Sequence, residues 1–98
     1  MAFDLYIRST AARDVQSAGD WYEEKRKGLG RQFVRSVTAL MERIRQQPET
    51  NAVIHKGVRL AHLKRFQYVI AYLFENEEVE IIAVSPAHRD PDVWQSRI

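Results

Sequence analysis

The sequence predicts an α+β domain: a short strand, a hairpin of two helices, and then a small, mostly antiparallel sheet closed by a helical turn. Three observations carry this expectation. Residues 3–8 alternate between apolar and polar, the period of a strand with one buried face. Two stripes of helical period follow, separated by Gly28-Leu29-Gly30. Beyond Pro48 the helical period is lost, and apolar runs at 66–74 and 79–84 take its place. A helical hairpin followed by strands packs as helices on one face of a sheet.

In the first strand Phe3, Leu5 and Ile7 oppose Asp4, Tyr6 and Arg8. Ser9 and Thr10 then offer hydroxyls as N-caps. Ala11, Ala12, Val15, Ala18 and the Trp21-Tyr22 pair form a stripe that predicts a helix over 10–27. One of those two rings faces out, or both sit at the rim of the core. Phe33, Val37, Leu40, Met41 and Ile44 predict a second helix over 30–47, ended by Pro48. The short glycine turn makes the pair antiparallel. Val15, Leu29, Phe33, Val37, Leu40 and Ile44 are the residues expected to hold the hairpin to the sheet.

Residues 49–51 read as a loop and 58–63 as a strand containing Arg59. Residues 66–74, rich in aromatic and aliphatic side chains, predict a strong strand. Tyr68 and Tyr72, four apart, share one of its faces. An acidic turn at 75–78 leads to the strand 79–84, whose continuous apolar run from Ile81 to Val84 suits a central position buried on both faces. Short links allow the three strands to form an antiparallel meander. Pro86 ends the sheet, and Asp90-Pro91-Asp92 caps a last turn carrying Trp94.

The chain has 98 residues, 45% hydrophobic and 29% charged, which suits a single domain over 1–98 with one core. It contains no cysteine, which excludes disulfides, thiolate metal sites and cysteine nucleophiles. His55, His62 and His88 lack H-x-x-x-H spacing, so neither a metal site nor a cofactor is expected. No apolar run is long enough to span a membrane, and the N-terminus lacks the pattern of a signal peptide. The expected location is the cytoplasm.

The net charge of +2 hides a strong segregation. Residues 25–45 hold seven Lys or Arg and one acid, Glu42, while residues 51–74 hold Lys56, Arg59, Lys64 and Arg65 and no acid. Such a surface suits an anionic partner, nucleic acid or an acidic polypeptide. No G-x-S-x-G, P-loop or G-x-G-x-x-G motif is present. Cutting RNA without a metal needs a base, an acid and cations on the phosphate. Arg59, Lys64, Arg65, His88 and Arg89 are the candidates for those roles. Arg59 alternates with Ala61 and Leu63, so it shares an apolar face and needs a partner such as a carboxylate.

Several stretches, taken in order, resemble a known family. They are Trp21-Tyr22-Glu23-Glu24, Gly28-Leu29-Gly30-Arg31-Gln32-Phe33, Val58-Arg59, the run from Leu63 through Tyr72, Ile81-Ile82-Ala83-Val84, and His88-Arg89-Asp90-Pro91-Asp92-Val93-Trp94. Together they resemble the ParE branch of the RelE/ParE toxins of bacterial type II toxin–antitoxin systems. The resemblance implies a small toxin with this same element order, neutralised by a partly disordered acidic antitoxin and able to enter higher-order complexes. It also implies one of two activities. ParE-like members poison DNA gyrase; RelE-like members cut messenger RNA on the ribosome.

Nucleases of the group carry Arg after the first Tyr of the long strand, where this chain has Val69. They carry a base-stacking Tyr near the C-terminus, where it has Trp94, and an Arg after the last strand, where it has His88 with Arg89 adjacent. Loss of a preorganised phosphate clamp is worth on the order of 3 kcal/mol of barrier. The resemblance therefore implies a gyrase-inhibiting toxin of the plasmid-stabilising, growth-arresting kind. Its expected antitoxin- or target-binding residues are Arg59, Lys64, Arg65, Tyr68, Arg89 and Trp94. The alternatives are a ribosome-dependent endoribonuclease, with His88, Arg59 and Arg89 as its catalytic residues, and an inactive toxin fold that serves only as an antitoxin-binding corepressor.

Overall fold

The structure, a computed structural model, describes residues 2–88 and 90–98. Its elements are β1 (Asp4–Ile7), α1 (Ser9–Lys25), α2 (Leu29–Gln46), β2 (Val53–His55), β3 (Val58–His62), β4 (Tyr68–Glu75), β5 (Glu78–Pro86) and α3 (Asp92–Gln95). The five strands form one sheet in the order β1-β5-β4-β3-β2. Strands β2 to β5 pair antiparallel, while β1 lies parallel to β5, with Asp4 opposite Glu78 and Ile7 opposite Ile81. A parallel pair needs a long crossover, and the helical hairpin supplies it. The α+β expectation holds, and β5 is an interior strand, between β1 and β4, with Val79, Ile81, Ile82, Ala83 and Val84 all buried.

Two local expectations are corrected. Ser9 and Thr10 do not cap α1, which begins at Ser9 itself with Arg8 at the N-cap position and no side-chain cap bond. The Arg8 N–H is still completing the β1–β5 ladder, donating to the Ile81 carbonyl at 3.0 Å, so the helix starts directly off the strand. The sheet also has a strand that the sequence pattern did not reveal. In β2, Val53 and Ile54 are 51% and 53% exposed, so an edge strand with no buried face gives no alternation to read. Lys56 and Gly57, both at positive φ, turn β2 into β3.

The turn between the helices is closed by a carboxylate. Gly28 adopts φ 87°, and the Glu23 side chain accepts the N–H groups of Gly28 at 2.9 Å and Gly30 at 3.0 Å. These bonds satisfy donors that a helix start leaves free, and the Gly28 N–H is the main reason the Glu23 carboxyl sits below its ordinary pKa. Helix α2 lays Phe33, Val37, Met41 and Ile44 on the sheet. Val15, Leu29 and Leu40 only border this core, half-buried.

Alternation in β4 divides the sheet into two sides. Ile70 and Tyr72 face the helices with Tyr68 and Phe74, while Ala71 and Leu73 face the other way. The Tyr72 hydroxyl donates to the Pro48 carbonyl at 2.7 Å and accepts from Asn51 Nδ2 at 3.2 Å, and burial raises its pKa. On the far side Trp94 from α3 packs on Val58, Ala71, Ile82 and Ala83. A bulge makes this possible: Tyr72 pairs with Ile81 and Ala71 with Ala83, so Ile82 is the extra residue. No described helix is long and apolar enough to cross a membrane.

Candidate functional site

Two concave surfaces are candidates, one on each side of the sheet. The first is a cleft of about 260 Å³ on the far side, where β3, β4 and β5 meet α3. Leu60, Val69, Ser85, Pro86, Trp94 and His55 are among its walls. Val69 is 4% exposed and Trp94 5%, and the His55 ring meets the Trp94 ring at 6.0 Å. No lysine or arginine lines this cleft among the described residues. Among the described residues His55 is the one titratable side chain there, and its place was not legible in the sequence because it lies on the edge strand that the pattern hid.

The second surface is a groove of about 730 Å³ between α1 and the end of the β4–β5 ladder. Trp21, Tyr22, Tyr68, Arg65, His88 and Asp14 are among its lining residues. Trp21 is 53% exposed at its rim, whereas Tyr22 turns inward and packs on Phe33, Phe66 and Tyr68. Tyr68, half-buried, thus packs against the helices on the face it shares with Tyr72.

Asp14 and Arg97 explain how the groove's inner wall is built. Strand β1 ends opposite Ile81, so the edge of β5 beyond it has no strand neighbour. The Val84 N–H donates instead to Asp14 Oδ2 at 3.0 Å, and the Ile82 carbonyl accepts from Arg97 Nη1 at 3.0 Å. Arg97 also grips Asp14 with both nitrogens, at 2.6 and 3.1 Å. Arg8 joins in, bonding the Arg97 carbonyl and pairing with Glu80 at 2.9 Å. Side chains thereby cap an edge that would otherwise expose free backbone groups. Nothing in the local sequence around Asp14 or Arg97 signals this, because the partners are 83 residues apart.

The predicted site residues converge only in part: Arg65, Tyr68 and His88 line the groove together, and the others lie elsewhere. Arg59 lies on the helix side of β3, and its guanidinium donates to the Asn51 carbonyl rather than to a carboxylate. It pairs with Tyr72 across the ladder, whereas Pro86, two residues before His88, pairs with Tyr68. Four residues along β4 separate these levels by about 13 Å. Arg65 and His88 do share the groove, with His88 exposed, while Lys64 is exposed on the loop beside it. Trp94 lies under the opposite face of the sheet. Arg89 falls outside the described residues.

Comparison with known proteins agrees with this architecture. Residues 5–91 match the family described as the ParE toxin of the type II toxin–antitoxin system, parDE. Toxin ParE2 of Mycobacterium tuberculosis is 32% identical over 95 residues, spanning 96% of this chain and 90% of the relative. The chain superposes on a structure of the chromosomal ParDE system of P. aeruginosa with a TM-score of 0.79 at 18% identity, over 89% of this chain and 98% of that one. A free mutant of the E. coli toxin RelE gives 0.69 at 17% identity, over 100% of this chain and 99% of that one. At such low identities these two structures speak to the fold alone. The family match and the curated relative speak to descent, and by them the chain belongs to the ParE toxins of type II toxin–antitoxin systems.

Proposed function

We propose that this toxin arrests growth by inhibiting DNA gyrase, that it does so without cutting RNA, and that an acidic antitoxin neutralises it in the cytoplasm. The observation that carries the reading is the far-side cleft. A metal-independent ribonuclease needs cations fixed around the scissile phosphate, and among the described residues this cleft presents Leu60, Val69 and Trp94 with one imidazole, His55. Arg59, the remaining strand cation of the nuclease set, is engaged on the other side of the sheet. The antitoxin half of the reading is supported by the family match and by the acid-free 51–74 stretch.

The test is induction of the wild type, His55→Ala and His88→Ala, with replication, the SOS response and primer extension on translated messages followed together. Replication is expected to stop first, with SOS induced and messages intact. His88→Ala is expected to weaken toxicity only modestly, because an exposed side chain is lost from a binding surface. Discrete message cuts that vanish in either histidine variant would overturn the reading, since removing a general acid or base costs about 100- to 10,000-fold. No arrest at all would overturn it too, in favour of a binding-only corepressor.

A further inference from the structure

A continuous chain of cation and ring contacts, built from two segments far apart in sequence, passes through the groove beside α1 at Trp21, Tyr22, Phe66 and Arg65 and ends just outside it at Lys25. Lys25 Nζ lies 4.7 Å from the Trp21 ring centroid. Trp21 meets Tyr22 at 5.0 Å, Tyr22 meets Phe66 at 4.9 Å, and the Arg65 guanidinium lies 5.0 Å from the Phe66 ring. Each end of the chain is a cation with no ion pair among the described residues. Arg26, Lys27 and Lys64 stand exposed next to those ends.

The acids nearby are largely occupied. Asp14 at the groove wall is held by Arg97 and the Val84 N–H. Glu23 is engaged by Gly28 and Gly30, and Asp90 accepts the Asp92 N–H. Asp20 faces the outer groove between the helices, and Glu24 is exposed on α1. The acidic hairpin lies at the other end of the sheet: Glu75 pairs with Glu78 seven residues along β4 from Tyr68, about 23 Å away.

We propose that this groove binds single-stranded nucleic acid, with Trp21 stacking on a base and Lys25 and Arg65 neutralising flanking phosphates. An electropositive groove with an aromatic platform at its rim is how strands are held without sequence preference. A carboxylate-bearing peptide would be matched better by guanidinium groups locked in place by hydrogen bonds. Among the described residues Lys25 and Arg65 rest on rings alone, which suits point neutralisation of a mobile phosphate chain. The inference goes beyond the gyrase reading and stands whether or not gyrase is the target.

The test uses the purified full chain and a short oligothymidylate. Trp94 is buried and Trp21 exposed, so quenching of indole fluorescence reports on the groove. Saturable quenching is expected, with log affinity falling against log salt by about 0.7 per phosphate neutralised. Anisotropy of labelled oligothymidylate is expected to show Trp21→Ala weakening binding by about 5- to 150-fold, with Trp21→Phe restoring part of it. Lys25→Gln with Arg65→Gln is expected to flatten the salt slope by about 1.4. Arg43→Gln with Lys56→Gln changes net charge equally, with Arg43 about 21 Å along α2 from the turn and exposed Lys56 in the β2–β3 turn at the acidic-hairpin end of the sheet, and is expected to leave the slope unchanged. Equal losses in the two pairs would overturn the proposal, as would an unaffected Trp21→Ala. Polyglutamate binding as tightly as the oligonucleotide would also overturn it, in favour of an acidic peptide, and equal affinity for duplex without quenching would reduce it to a backbone contact and overturn the stacking role.

Discussion

Phe33→Ala is expected to lower stability by about 3–5 kcal/mol, the usual cost of emptying a buried aromatic site. Phe33 is 0% exposed and sits where α2 meets the sheet, with its ring 5.2 Å from Tyr22, 5.3 Å from Phe66 and 5.0 Å from Tyr68. The neighbouring rings come from α1, the β3–β4 loop and β4, so the space cannot collapse easily. A domain of this size has about 5–15 kcal/mol in all, so the variant is expected to be partly unfolded at growth temperature. Urea unfolding followed by circular dichroism measures it. Leu40→Ala is the comparison: Leu40 is half-buried at the margin of the core, and its loss is expected to cost clearly less. Equal midpoints for Phe33→Ala and the wild type would show that the aromatic cluster does not hold the hairpin to the sheet.

Gly30→Ala is expected to be the most damaging single-methyl change in the molecule. A Cβ at Gly30 would lie 2.4 Å from the Gly19 carbonyl oxygen and 3.0 Å from the Glu23 carboxylate. The backbone oxygen belongs to α1, so relief requires the two helices to part. The expected cost is about 1–3 kcal/mol, the range for overpacking, and the Glu23 bonds that close the turn are disturbed with it. Gly19→Ala, whose Cβ would meet Val34 at an ordinary 3.4 Å, is expected to be mild. The difference in urea midpoint between the two variants checks the claim, and a reversed order would contradict the close crossing.

The elements with a buried face were legible in the sequence because burial imposes a period. The Phe33, Val37 and Ile44 stripe, the alternating β4 and the double-faced β5 all lie as their patterns required. Strand β2 was not legible, because Val53 and Ile54 bury no face. Leu40 was overvalued for a related reason: a stripe shows which side of a helix turns inward, but not how deeply each position sits. The candidate site was legible only in its parts. Lys25, Trp21, Tyr22, Arg65 and Phe66 were each visible, yet their contact depends on α1 and the β3–β4 loop meeting at one end of the sheet. The Asp14–Arg97 clasp left no trace, since it answers to where β1 stops rather than to any local motif.

The proposed action on gyrase is tested most directly in purified components. Gyrase, ATP and supercoiled plasmid are incubated with the toxin, and the DNA is resolved after protease and detergent treatment. The account predicts linear plasmid that rises with toxin concentration, requires gyrase, and is suppressed by prior addition of the antitoxin. Supercoiling that proceeds undisturbed, with no linear DNA at toxin in excess over gyrase, would contradict it.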